Sequence, residues 1–170
     1  MGVNALTAAV RAATEQDLEA INDLYNHYVR TSHATFDVQD TTMGWRRTWF
    51  DGRRSGRHRV FVAEGEGRVI GFASSGPHRP KPAYRTSVET SVYVAPERVG
   101  LGVGRALYGV LLEALRAQDV HRALAGIALP NDASVALHVR SGFCLVGRFT
   151  EQGRKFGKYW DVAWYERPID

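Results

Sequence analysis

The stretch VETSVYVAPERVGLGVGRALYGVLLEAL, Val88 to Leu115, reads as a strand, a glycine-rich loop and a helix in succession. Val88, Thr90, Val92 and Val94 alternate with Glu89, Ser91 and Tyr93, which gives a strand with one apolar, β-branched face. Pro96 has no N–H to donate and ends the ladder. Beyond the loop, Val103, Ala106, Leu107, Val110, Leu111, Ala114 and Leu115 recur at the spacing of one buried helix face. Between strand and helix lie Gly100, Gly102 and Gly104. A helix start carries unpaired N–H groups and the positive end of the macrodipole, which suits a bound phosphate. Glycine lets the backbone come close to such a ligand with φ > 0.

Two familiar phosphate motifs do not fit this loop. A dinucleotide fingerprint needs G-x-G-x-x-G and an acidic residue about 20 positions on; here the third glycine comes early, and the downstream Ala123, Leu124 and Ala125 are apolar. A P-loop needs Gly-Lys-Ser/Thr, whereas Gly104 precedes Arg105 and Ala106. Two readings stand: a pyrophosphate cradle of another type, or a glycine-rich turn without a ligand.

Working outward, the spacing predicts a first strand over Thr7 to Ala13 and a capping box at Thr14-Glu15-Gln16-Asp17. A helix follows through Leu18, Ile21, Leu24, Tyr25, Tyr28 and Val29 to about Arg30. Thr31 to Thr42 is a polar connection; its Phe36 either covers a pocket or anchors the loop to the core. Met43 to Arg54 is a second helix with Trp45, Trp49 and Phe50 as anchors, and the basic group Arg53, Arg54, Arg57, His58, Arg59 reads as its solvated end. Val60 to Glu64 and Val69 to Ser75 form a hairpin around Gly65-Glu66-Gly67. The proline-rich run Gly76 to Arg85 is a stiff loop that presents Arg79, Pro80, Lys81 and Arg85 just ahead of the central strand. It is either a solvated basic loop or a clamp for an anion, since Arg grips a carboxylate or phosphinate in bidentate fashion. Val120 to Leu129 is another strand. Asn131 and Asp132 open a short helix that Gly142 ends, with Asn131 and His138 on one side of it. Phe143 to Phe149 and Phe156 to Tyr165 pair around a loop containing Gly153. The tally is an α/β chain: about seven strands in a mixed sheet, with about four helices on both faces.

A chain of 170 residues fits a single domain, here with a core over about 9–166. No apolar run reaches the ~18–20 residues of a bilayer span, and Met1 to Thr7 lacks the apolar region of a signal peptide. Cys144 is the only cysteine, which excludes a disulfide framework and a Cys-based zinc site and predicts a cytoplasmic home. Following Phe143 at a strand start, it reads as a core residue. The six histidines include no H-x-x-x-H pair, so no metal site is expected. The net charge of +4 comes without a basic helix stripe, which favours a small anionic ligand over nucleic acid.

Val92-Tyr93-Val94 followed by VGLGVG (Val99 to Gly104) resembles the coenzyme A motif of the GNAT superfamily of acetyltransferases, Q/R-x-x-G-x-G/A. Gly102 and Gly104 are aligned with its glycines; Val99 stands at the position of the usual Gln or Arg, with Arg98 one residue early. Glu89 before SVYV, NDASVALH (Asn131 to His138), FGKYWDV (Phe156 to Val162) and ATFD (Ala34 to Asp37) resemble the phosphinothricin and methionine sulfoximine N-acetyltransferases, over nearly the whole chain. The resemblance implies a mostly antiparallel GNAT sheet, acetyl-CoA as acyl donor, an α-amine acceptor such as phosphinothricin, methionine sulfoximine or the sulfone, and a homodimer. It places the coenzyme against Val92, Tyr93, Val94, Gly100, Leu101, Gly102, Val103, Gly104, Arg105 and Asn131. It places the acceptor against Phe36, Arg79, Pro80, Lys81, Arg85 and Glu89, with Thr90 and Ser91 beside it.

Transfer from a thioester to an amine requires a held pyrophosphate, a polarised carbonyl, a base for the ammonium and a proton for the leaving thiolate. Backbone N–H groups near Val92 to Val94 suit the carbonyl if the strand is locally splayed. Glu89 is the candidate base; the alternative is an ion pair with Arg79 or Arg85. His138, with an ordinary pKa of ~6.5, gives or takes a proton near neutrality, or is a helix histidine satisfied by a neighbour.

Overall fold

The computed structural model describes residues 8–169. The first seven residues, which include the predicted strand start at Thr7, and Asp170 lie outside them. The chain runs β1 (Ala9–Ala12), α1 (Leu18–Thr31), α2 (Met43–Asp51), β2 (Val60–Gly65), β3 (Arg68–Pro77), β4 (Ser87–Val94), α3 (Val103–Arg116), β5 (Arg122–Ala128), α4 (Asp132–Arg140), β6 (Cys144–Lys155) and β7 (Lys158–Pro168). The seven strands form one sheet in the order β1-β2-β3-β4-β5-β7-β6. The neighbouring pairs are antiparallel except β4 and β5, which are joined by the α3 crossover and run parallel.

Period-two alternation in β4 decides which side of the sheet each residue serves. Val88, Thr90, Val92 and Val94 face α3, whose Val103, Leu107, Tyr108, Leu111 and Leu115 are buried against Ile70, Ala73, Ala123, Ala125 and Ile127. Each such aliphatic side chain contributes about 1.5–3 kcal/mol by leaving water. Gly71 lies where α3 crosses β3, and a Cβ there would stand 3.2 Å from both Leu107 and Val103. Tyr93 faces the opposite side, where α1 and α2 cover Val60, Val62 and Phe72 with Leu18, Ile21 and Phe50. There the Tyr93 ring meets Tyr25, Tyr28 and Phe72 at 5.2–5.4 Å between centroids.

The expected capping chemistry at α1 is present: the Asp17 carboxylate accepts from the Thr14 backbone N–H at 2.7 Å and from its hydroxyl at 3.0 Å, and Arg11 holds it well below the usual carboxylate range. The connection after α1 is tied down by Asn22 and Asn26, whose amides donate to the Thr41 carbonyl. Arg46 of α2 is almost fully buried among Tyr25, Trp45 and Trp49, donating to Asn22 and Thr41, and burial pushes its guanidinium down to about 10.

Three expectations are corrected. Gly153 lies inside a strand rather than a loop: β6 runs on to Lys155 and turns through Phe156 and Gly157, both at positive φ. The extra residues are absorbed by irregularities between Leu145 and Gly147 and between Phe149 and Gly153. Cys144 is exposed; the preceding Phe143 turns inward instead. Arg53 is half-buried, its guanidinium over Trp49 and Gly76, so it leaves the solvated basic run that the sequence suggested. No helix among the described residues is long and apolar enough to cross a membrane.

Candidate active site

β4 and β5 pair only from Ser87/Arg122 to Glu89/Leu124. Both continue as strands on their outer sides, β4 with β3 to Val94/Gly71 and β5 with β7 to Ala128/Val162. The two central strands therefore diverge past Glu89 and leave a wedge with unpaired backbone groups along its walls. A cleft of ≈ 650 Å³ opens there. Its lining includes Thr90 to Val94 on one wall and Ala125 to Ala128 on the other, closed by the 98–105 loop and by α4.

The loop supplies the anion-binding end. Gly100 has φ 82° and Gly102 φ 87°, the left-handed region that suits glycine, and a Cβ at either would meet nothing within 4 Å. Gly102 is the N-cap of α3, whose first intrahelical bond runs from Ala106 to the Gly102 carbonyl. The N–H groups of Val103, Gly104 and Arg105 are thus without helical acceptors at the cleft. Gly104 serves a different purpose: a Cβ there would stand 2.9 Å from Leu137, so it lets α3 and α4 pack closely. Positive φ is thus required at Gly100 and Gly102, and close helix packing at Gly104. Arg98, Arg105 and Arg140 bring positive charge to the cleft; Arg98 donates to Glu66 at 2.7 Å while its buried Nε has no partner. An open glycine cradle, free helix N–H groups and an orphaned guanidinium nitrogen fit the phosphates of a nucleotide-tailed coenzyme.

His138 lines the same cleft and is 3% exposed. Its Nδ1 lies 2.7 Å from the Ser134 carbonyl, which only accepts, so Nδ1 carries the proton. Nε2 is left as acceptor for the Tyr108 hydroxyl at 2.8 Å. Tyr108 also lies 3.3 Å from the Thr90 hydroxyl, which donates to the Leu124 carbonyl at 3.2 Å. Burial lowers the His138 pKa, opposed by the Ser134 bond, and raises that of Tyr108, so both are neutral at pH 7. The result is a buried hydrogen-bonded chain from α4 to the point where β4 and β5 part. Asn131 caps α4, accepting from the Ser134 N–H at 3.2 Å, and also lines the cleft.

Glu89 projects from the other face, on the same side as Ser91 and Tyr93, and does not line this cleft. It sits at the fork itself, opposite Gly76 and Leu124. Its carboxylate is 3.7 Å from His78 Nδ1; burial raises its pKa, opposed by His78 and then Arg79. The wedge is thus flanked by His138 on one face of the sheet and Glu89 on the other, which allows proton acceptance and proton donation at opposite ends of one reacting centre.

The remaining candidates separate. Val92, Tyr93, Val94, Gly100, Gly102, Gly104, Arg105, Asn131, Thr90 and Ser91 line the cleft. The Val103 side chain belongs to the core, leaving its N–H for a ligand, and Leu101 is exposed outside the lining. Phe36 packs on Gly153, where a Cβ would come within 2.2 Å of its ring, and acts there as a loop anchor. Arg79, Pro80 and Lys81 are exposed, with Arg79 near enough to act on Glu89, while Arg85 turns 3.6 Å from Asp119 at the far end of β4. The sequence reading missed Tyr28, whose hydroxyl donates to the Val94 carbonyl at 2.6 Å, and His33, stacked on Trp160 and 2.9 Å from the Pro130 carbonyl. It also missed the role of Tyr108, whose helical spacing resembles ordinary core. Among the described residues no group of His, Cys, Asp and Glu is arranged to hold a metal ion.

Comparison with known proteins adds to this geometry. The acetyltransferase (GNAT) domain family matches residues 10–164. The phosphinothricin N-acetyltransferase of Streptomyces coelicolor is 54% identical over 163 residues, covering 94% of this chain and 95% of that protein. The L-methionine sulfoximine/L-methionine sulfone acetyltransferase of Pseudomonas paraeruginosa is 36% identical over 166 residues, covering 97% and 96%. The crystal structure of a GNAT superfamily phosphinothricin acetyltransferase from Sinorhizobium meliloti in complex with acetyl-CoA superposes with a TM-score of 0.92 at 33% identity, covering 96% of this chain and 89% of that one.

Proposed function

The chain belongs to the GNAT acetyltransferase family, and from that premise we propose that it transfers the acetyl group of acetyl-CoA to the α-amine of a small anionic amino-acid analogue, with phosphinothricin and methionine sulfoximine or sulfone as the preferred acceptors. The observation that carries the reading is the fork at Glu89/Leu124, with a phosphate cradle at one end and a carboxylate on the acceptor face. The named activities of the similar enzymes from Streptomyces coelicolor and Pseudomonas paraeruginosa support the choice of acceptor.

Acetyl-CoA supplies the acyl thioester; Gly100, Gly102, the N–H groups of residues 103–105 and Arg98 hold its phosphates. Unpaired backbone N–H groups on the β4 wall polarise the carbonyl, each such donor lowering the barrier by about 3–4 kcal/mol. Glu89 takes the ammonium proton directly or through water. His138, which lines the cleft and is held by Tyr108, relays the second amine proton to the leaving thiolate as the tetrahedral intermediate collapses. Amine and thioester meet in one ternary complex, without an acyl-enzyme. Arg79 lies near Glu89 and favours an acceptor with an acidic group, disfavouring polycationic amines.

The homodimer and the cytoplasmic home belong to the same proposal. β6 is an edge strand that exposes Leu145, Val146 and Phe149, an apolar row that a second copy would cover. Sedimentation analysis tests this: Val146→Lys and Phe149→Lys together should yield a monomer. The deciding experiment for the activity is thiol release from acetyl-CoA against phosphinothricin, methionine sulfoximine, methionine sulfone and a panel of ordinary amines and polyamines. Equal rates with polyamines would refute the acceptor assignment.

A further inference from the structure

His78 follows the end of β3, next to Pro77, which pairs with Val88; one position further along the ladder, Gly76 pairs with Glu89. The imidazole is largely buried, clamped edge-on between Trp164 (5.9 Å, 74°) and Tyr84 (6.1 Å, 76°). Its Nδ1 is buried with no hydrogen-bond partner, and it stands 3.7 Å from Glu89 Oε2. Folded proteins rarely leave such a nitrogen unsatisfied. The half-exposed Glu89 carboxylate needs only a small rotation to shorten the contact into a hydrogen bond. We propose that His78 is a positioning residue for the transfer reaction, donating Nδ1–H to Glu89 so that this carboxylate stays ionised and oriented toward the incoming amine.

The inference rests on the assignment of Glu89 as base. The charged and titratable groups around Glu89 come from several elements. His78 and Arg79 lie beyond β3, and Tyr84 sits in the turn before β4. Arg53, at the end of α2, lays its guanidinium over Gly76, directly across from Glu89. Glu166 of β7 stands in the same cross-sheet row, beyond Leu124. Trp164 of β7 brings bulk and no charge. The half-buried site favours a neutral carboxylic acid; His78 and Arg79 act against this, and His78 is the group in near contact. A base must be ionised to accept a proton, so a donor here widens the pH range over which Glu89 works.

The acid limb of kcat/KM reports protonation of the base in the free enzyme. His78→Leu should move that limb up by about one pH unit, a tenfold loss of kcat/KM on the acid side with little change on the plateau. His78→Asn, whose Nδ2 sits where Nδ1 does, should restore most of the shift. The same pair is read without catalysis by carbon-13 NMR titration of the Glu89 carboxylate in the unliganded protein. The leucine variant should titrate about one unit higher than wild type, with the asparagine variant between. If the leucine variant does not fold, His78→Gln, whose donor lies one bond further out, should show the same upward displacement. An identical Glu89 midpoint in wild type and variants overturns the proposal. Because that titration needs neither coenzyme nor acceptor, a shifted midpoint in a protein that transfers no acetyl group would refute the function and leave the pair standing.

Discussion

Replacing Gly102 by alanine separates the cost of backbone strain from the loss of a ligand. Gly102 has φ 87° and ψ −4°, and its added Cβ would meet no protein atom within 4 Å. The penalty for folding is therefore conformational only, about 1–2 kcal/mol for an L-residue in the left-handed region. For a chain of this size that lowers Tm by roughly 2–8 °C. Gly67, in the β2–β3 hairpin, provides a matched control: φ is 73° and a Cβ there also meets nothing within 4 Å. Gly67→Ala should lose about the same stability. Of the two, only Gly102 lines the cleft, and under the proposed placement of the pyrophosphate on the helix N–H groups its Cβ would crowd that ligand. Calorimetric titration with coenzyme A should show at least a tenfold weaker Kd for Gly102→Ala, about 1.4 kcal/mol, and wild-type affinity for Gly67→Ala. Equal affinity in the two variants, at equal loss of Tm, would refute the placement of the phosphates at the start of α3.

Glu89→Gln should lower kcat by about 10²–10⁴, the usual contribution of a positioned base, with coenzyme A affinity unchanged by calorimetry; unaltered turnover would remove Glu89 from the chemistry. Arg79→Ala should raise KM for an anionic acceptor, whereas Arg85→Ala should not, because Arg85 faces Asp119; the reverse ranking, measured in steady-state assays, would relocate the anion clamp. His138 is buried neutral with a lowered pKa, so the unfolded chain takes up its proton first as pH falls. Its contribution to stability is complete above ~6.5 and is lost as pH drops through the lower folded value. His138→Phe should flatten the pH dependence of denaturant-derived stability in that window, and an unchanged slope would contradict burial of the neutral form.

Particular residues mark how far the sequence alone reaches. Thr14 and Asp17 announced a helix start because a capping box is written within four consecutive positions. The alternation in β4 and the apolar spacing of α3 named most of the core for the same reason, but Val110, expected on the buried face, is exposed, while Tyr108 and Leu112 are buried. Gly153 misled, because a missing side chain signals a turn as readily as a close approach; only Phe36, more than a hundred residues away in the chain, shows which. Cys144 misled because Phe143, just ahead of β6, is the residue that turns inward, and local pattern did not say which of the two would be buried. Arg53 was lost in a run of like charges, although its guanidinium ends over Gly76.

The chain order of this protein determines its strand–cradle–helix unit and most of the apolar stripe of each element, since these depend on neighbours within a turn or two. The opening between β4 and β5, the placement of Glu89 and His138 on opposite faces of it, and the meeting of Tyr108 with His138 and of His78 with Glu89 belong to tertiary structure. They are set by cross-strand register and by the packing of helices from distant parts of the chain, which no local propensity encodes.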